Sequence, residues 1–149
     1  MKPEVYEFQE KKVIGIGNIE SPMTPGDAWS ILFSRIQEIQ GRKNSPETFG
    51  VIKRNEPGYL AGVEVEHILE IPEGMFSYVI PAGQYIGMTH KGPLSKIGET
   101  FYILIDWLAS NNYEQHDIVC FEVYDERFKG EDPESEFDSY ILIRSGRGI

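Results

Sequence analysis

An α+β fold is what the 149-residue sequence predicts: duplicated strand-helix-strand-strand units forming an antiparallel sheet, with two helices on one face and the other face left to be closed by loops, a partner or a ligand. Three observations predict it. Short β-branched and aromatic runs alternate with two stretches of helical apolar period. Those two stretches lie roughly 70 residues apart, as a duplication would place them. Each is followed by two strand-like runs, so the halves match in pattern although their letters differ.

The first run, Val5 to Ile19, reads as a strand, with Val13, Ile14 and Ile16 as its β-branched core. Ser21-Pro22-Met23-Thr24-Pro25-Gly26-Asp27 breaks it. Thr24 is placed to cap a helix with Pro25 in its first turn and Asp27 against the positive end of its dipole. Trp29, Leu32, Ile36 and Ile39 then recur every three or four residues, Phe33 broadens the stripe, and Gly41 stops it. Strands over Thr48 to Arg54 and Tyr59 to Glu66 flank Asn55-Glu56-Pro57-Gly58, a hairpin signal. In the second half, Phe76 to Ile80 and Gln84 to His90 are strands separated by Pro81-Ala82-Gly83. Ser95 opens a helix carrying Ile97, Phe101, Leu104, Ile105 and Leu108, which Asn111-Asn112 ends. Ile118 to Tyr124 and Phe137 to Ile143 are the closing strands. Between them Asp125 to Asp138, with seven acidic residues against Arg127 and Lys129, reads as a solvated loop. One domain over 1–149 is expected, with pseudo-repeats over 1–70 and 75–149.

Composition narrows the function classes. The chain is 40% hydrophobic and 12% aromatic, too apolar for disorder, and its 14 basic and 24 acidic residues leave a net charge of −10. That charge repels phosphate backbones and anionic lipid, which argues against nucleic acid and membrane as partners and favours cations. No uncharged apolar run approaches the roughly 18 residues of a membrane span, and no signal-peptide stretch follows Met1-Lys2-Pro3-Glu4. With Cys120 as the lone cysteine, a disulfide and a cysteine metal cluster are both excluded, and a cytoplasmic setting is expected. His67, His90 and His116 stand far apart without ligand spacing, Gly15-Ile16-Gly17 lacks a third glycine, and no nucleophile elbow exists. No metal or cofactor is expected.

Glu122 is the position that stands out. Ile118-Val119-Cys120-Phe121-Glu122-Val123-Tyr124 surrounds one carboxyl with apolar and aromatic neighbours. Period two puts Ile118, Cys120, Glu122 and Tyr124 on one face. Such a carboxyl is a charge held in an apolar pocket for a cation or a proton transfer, or it is an edge residue or internal ion pair; the pattern leaves these open. The aromatics that can join it are Tyr124, Tyr140 on the last strand, Tyr59 at the start of its strand and Tyr102 on the second helix, each also readable as ordinary core. Trp29 and Trp107 are rim or core, and Cys120 is a small core residue.

These residues carry a resemblance. Ile80-Pro81-Ala82-Gly83-Gln84-Tyr85 with His90-Lys91-Gly92-Pro93, the helix end Asp106-Trp107-Leu108, the Phe121-Glu122-Val123-Tyr124 strand, Asp132-Pro133 and the closing Tyr140-Ile141-Leu142-Ile143 resemble the GyrI-like small-molecule-binding family along the whole chain. The resemblance implies two pseudo-symmetric units around a ligand cleft, expected on the sheet face without helices. It further implies a pocket glutamate, here Glu122, with Tyr124 beside it and Tyr140 adjoining, that holds hydrophobic cations as in effector-binding domains of MerR- and AraC-type regulators. Two other activities occur in the family. One is hydrolysis of strained cyclopropane-type DNA-alkylating compounds, in which Glu122 would activate water with help from Tyr140 or Tyr102. The other is a protein contact such as DNA gyrase inhibition. The chain departs from the regulators in showing no DNA-binding segment, so a stand-alone binding domain is expected.

Overall fold

A computed structural model describes residues 2–114 and 118–144. It contains eight strands and two helices: β1 (Glu4–Phe8), β2 (Lys11–Ile16), α1 (Pro25–Arg35), β3 (Thr48–Lys53), β4 (Leu60–Val65), β5 (Phe76–Ile80), β6 (Gly83–Lys91), α2 (Ile97–Ser110), β7 (Val119–Tyr124) and β8 (Glu136–Leu142). The strands form one antiparallel sheet in the order β1-β6-β8-β7-β3-β4-β2-β5. The α+β class with two helices is as the sequence indicates. The run Val5 to Ile19, expected as one strand, is two. Its polar pair Gln9-Glu10 interrupts the ladder, and the pieces lie in different parts of the sheet.

The duplication is visible in that order. Outward from the centre it runs β7-β8-β6-β1 on one side and β3-β4-β2-β5 on the other. The repeated unit is β2-α1-β3-β4 in the first half and β6-α2-β7-β8 in the second. The outermost strands are exchanged: β1 pairs with β6 of the second half, and β5 with β2 of the first. β1 and β2 stand six strand intervals apart, roughly 29 Å if the sheet were flat. The Phe8–Lys11 link spans at most about 11 Å. The sheet therefore curls until its ends approach, and Lys11 Nζ lies 5.1 Å from the Phe8 ring centroid and 6.0 Å from that of Phe49.

Curling buries the face away from the helices. Val13, Phe49, Val51, Leu60, Tyr85, Phe121 and Leu142 form a core there, and Phe8, Tyr78 and Tyr140 pack against it. The opposite face carries α1 over Ile14, Ala61 and Val63, and α2 over Ile86, Cys120 and Ile141. The expected placement of the cleft is thus corrected. The helix-free face is filled by its own aromatic core, and the helix face keeps open space, one cavity beside α1 and one along α2.

The caps hold in part. Thr24 accepts from the Asp27 amide at 3.3 Å, and Gly41 takes a left-handed φ of 75° beyond α1. Ser95 does not cap α2, because a short 3-10 turn over Leu94–Lys96 precedes the helix. Instead the Glu131 carboxylate receives the Ser95 amide at 2.8 Å and its hydroxyl at 2.7 Å. The acidic segment before β8 is accordingly structured rather than merely solvated. Arg127 binds Asp125 at 2.9 Å and Asp138 at 2.8 Å, and the fully buried Ser135 receives the Lys129 amide at 2.6 Å. No helix among the described residues is long and apolar enough to cross a membrane.

Candidate functional site between the two helices

β3 and β7 meet at the centre of the sheet, where Gly50 is paired with Glu122. Because Cys120 packs under α2, alternation sends Glu122 and Tyr124 to the same helix face. The missing side chain at Gly50 leaves room beside Glu122. A Cβ there would collide with the Tyr59 hydroxyl, which occupies that space. Tyr59 enters from just before β4, under α1.

The four side chains form a hydrogen-bonded chain. Trp29 Nε1 on α1 donates to the Tyr59 hydroxyl at 3.0 Å. The Tyr59 and Tyr124 hydroxyls bond to each other, and Tyr124 donates to Glu122 Oε1 at 2.8 Å. Burial raises the Glu122 carboxyl from its ordinary value to about 7, with the Tyr124 hydrogen bond pulling the other way. Burial and the neighbouring Glu122 charge also raise both tyrosine hydroxyls. Among the described residues no ion pair includes Glu122. The edge-residue and ion-pair readings therefore do not describe this glutamate: it lies on a central strand, held by a tyrosine.

Space is available on both sides. A cavity of about 510 Å³ runs along α2, with Glu122, Ser139, Cys120 and Ile52 on its floor and Phe101 and Tyr102 on its helix wall. A second, of about 230 Å³, opens between Trp29 and Phe33 of α1 and Leu94, with Tyr124, Thr48 and Phe128 completing it. The Glu122–Tyr124 hydrogen bond stands between the two, one partner lining each. The larger cavity is mainly apolar, with the Glu122 carboxyl and the Arg54 side chain both on its lining, and an apolar enclosure with a few convergent polar groups is the usual form of a small-molecule site.

The structure brings together Glu122, Tyr124 and Tyr59, and sets Tyr102, 70% exposed, at the rim of the larger cavity. It does not bring Tyr140. That residue pairs with Phe121 and packs on Phe8, Tyr6 and Phe121 in the core of the opposite face. Ser139, not Tyr140, lies across from Glu122. Cys120 is buried, its thiol pushed up to about 12 by burial and by the Glu122 charge, as fits a core residue. His90 is also buried, held by Thr100 at 2.6 Å and the Pro93 carbonyl at 3.0 Å. His116 lies outside the described residues. Among those described, no three His, Cys, Asp or Glu side chains gather to hold a metal ion.

Phe33, Phe128, Leu94 and Gly50 are absent from the expected site. Phe128 carried a signal, an aromatic standing between Arg127 and Lys129 in an acidic segment. Phe33 carried a misleading one, since it fits the α1 stripe yet is 59% exposed on the cleft side.

Comparison with known proteins bears on the family and the fold. The GyrI-like small molecule binding domain family matches residues 1–145, and the chain belongs to it. Transcriptional regulator BrlR of Pseudomonas aeruginosa is 37% identical over 152 residues, covering 96% of this chain. The chain spans 56% of that relative's length. Among solved structures, SAV2435 bound to tetraphenylphosphonium superposes with a TM-score of 0.70 at 11% identity, covering 97% of this chain and 94% of that one. The EcmrR–DNA complex gives 0.71 at 14%, covering 97% of this chain and 57% of that one. A hydrolase from Listeria innocua gives 0.65 at 10%, covering 95% and 91%. At these identities the structural likenesses establish the shared fold.

Proposed function

We propose that this domain binds hydrophobic cations in the cleft between α1 and α2, with Glu122 supplying the charge and Tyr124, Tyr59 and Trp29 the aromatic wall. One observation carries the reading: a carboxyl with no ion-pair partner among the described residues, held by a tyrosine and bordering a mainly apolar cavity that Arg54 also lines. A charge so placed is compensated when a lipophilic cation enters, and aromatic faces add cation–π attraction. The tetraphenylphosphonium complex of the fold neighbour SAV2435 supports the ligand class. The kinship with BrlR supports a sensing or sequestering role, in the cytoplasm. The test is a titration of tryptophan fluorescence with tetraphenylphosphonium, because Trp29 reports on the chain to Glu122. Saturable binding by the wild type, weakened at least tenfold in Glu122→Gln, is expected; equal binding by both refutes the role of the charge.

A second reading is hydrolytic, and the Glu122–Tyr124 pair favours it. A carboxyl poised near neutrality takes a proton from water as the water oxygen bonds to a strained ring carbon and that carbon's ring C–C bond breaks, and a phenol hydroxyl stabilises the negative charge its electron pair leaves on the departing fragment. In this geometry Tyr124, rather than Tyr140, is the tyrosine in reach, with Tyr102 at the rim. Product in molar excess over protein, abolished by Glu122→Gln, distinguishes turnover from binding. A contact with gyrase or another protein rests only on the acidic charge of −10.

A further inference from the structure

The two cavities differ in chemistry. The larger is lined by the Glu122 carboxyl and the Arg54 side chain; the smaller holds no charged side chain and is walled by Trp29, Phe33, Leu94, Tyr124 and Phe128. Its rings are arranged as a slot. Trp29 and Phe33 stack 5.7 Å apart at 24° along α1, and Tyr124 stands edge-on to Trp29 at 5.4 Å and to Phe128 at 4.9 Å. Apolar cavities of roughly 150 Å³ hold a benzene ring, so about 230 Å³ admits a fused bicyclic ring. Phe33 is an exposed aromatic that no core requires.

We propose that the smaller cavity is a ring subsite, and that the preferred ligand is elongated: a cationic centre beside Glu122, joined by a short link past Tyr124 to a flat neutral aromatic group between Phe33 and Phe128. The inference rests on the cation reading above and deepens it. Tyr124 serves both halves, its hydroxyl bonded to the carboxyl and its ring forming the end of the slot. The segment that supplies Phe128 is fixed on each side, by the Arg127 pairs with Asp125 and Asp138 and by the Glu131 bonds to Ser95. The slot is therefore built before a ligand arrives.

Three probes separate the two halves by calorimetry: tetraethylammonium (charge without a ring), naphthylmethanol (ring without charge) and (naphthylmethyl)triethylammonium (both). The wild type should bind the third about tenfold more tightly than the first. Phe33→Ser, a change at an exposed position, should erase that increment and leave tetraethylammonium unaltered. Glu122→Gln should leave naphthylmethanol unaltered. A ring that adds no affinity, or a Phe33→Ser change that weakens both cations equally, overturns the ring subsite while leaving the cation site standing. The converse pattern, naphthylmethanol binding lost in Phe33→Ser but no preference for either cation, overturns the Glu122 reading instead.

Discussion

Glu122 shows how one side chain's surroundings set its behaviour. Burial raises its folded value to about 7 against an ordinary carboxyl near 4.5. Between those two values the folded chain holds a proton that the unfolded chain has released, so this group's contribution to stability falls as pH rises through that window and is level above it. Glu122→Gln should therefore stabilise the protein by on the order of 2 kcal/mol at pH 8 and change little at pH 4, a difference that thermal melts at the two pH values check. Gly50→Ala acts on the same chain from the neighbouring strand: its methyl displaces the Tyr59 hydroxyl, which costs about 1–3 kcal/mol and breaks the Trp29 bond. A shifted Trp29 emission together with a lowered melting temperature is expected; unchanged emission contradicts the arrangement. Glu122 was legible in the sequence because a carboxyl inside an apolar strand is conspicuous. Tyr140 was misplaced because alternation within β8 fixes only relative faces. Register against β7 puts Ser139 across from Glu122, and a shift of one residue would have put Tyr140 there.

At the scale of elements, helical period located both helices, and Thr24 with Pro25 located the start of α1 to the residue. The start of α2 was less legible, because Ser95 is bonded by Glu131, 36 residues away, and a long-range partner leaves no trace in local spacing. The acidic segment before β8 was misread for the same reason. Its counter-charge is concentrated in Arg127, which faces Asp125, Glu136 and Asp138. Arg127→Gln should cost about 1 kcal/mol, since solvent screens a network this exposed, and lower the melting temperature by a few degrees. It should also loosen the segment that positions Phe128, read as faster amide exchange between Asp125 and Ser135. Protection equal to wild type throughout that segment contradicts the clamp.

For the whole molecule, the repeat was legible and the exchange of edge strands was not. Nothing in residues 4–8 marks them for β6 rather than for a neighbour in their own half, because pairing partners of edge strands are chosen by the global curl. The exchange makes each half depend on the other. Fragments 1–72 and 73–149 each lack a strand that completes their sheet, and each exposes part of the core around Phe121. Neither should fold alone, and mixing them should restore the far-ultraviolet signal of the intact chain. A cooperative melt by either fragment alone contradicts that dependence. The same architecture explains where the cleft lies. One face is consumed by closing the sheet, while cavities stay open on the helix face, over the central β3–β7 pair that carries Glu122.

The most direct test of that central placement is the affinity for tetraphenylphosphonium measured from pH 5.5 to 8.5, with neutral triphenylphosphine oxide as the comparison and Glu122→Gln in parallel. A cation that needs the ionised carboxyl must compete with its proton below about 7. Wild-type affinity should then rise up to about tenfold per pH unit and level off above that value, while the oxide and the Glu122→Gln protein show flat, weaker profiles. A flat wild-type profile, with cation and oxide bound equally, would contradict the assignment of Glu122 as the charge that selects the ligand.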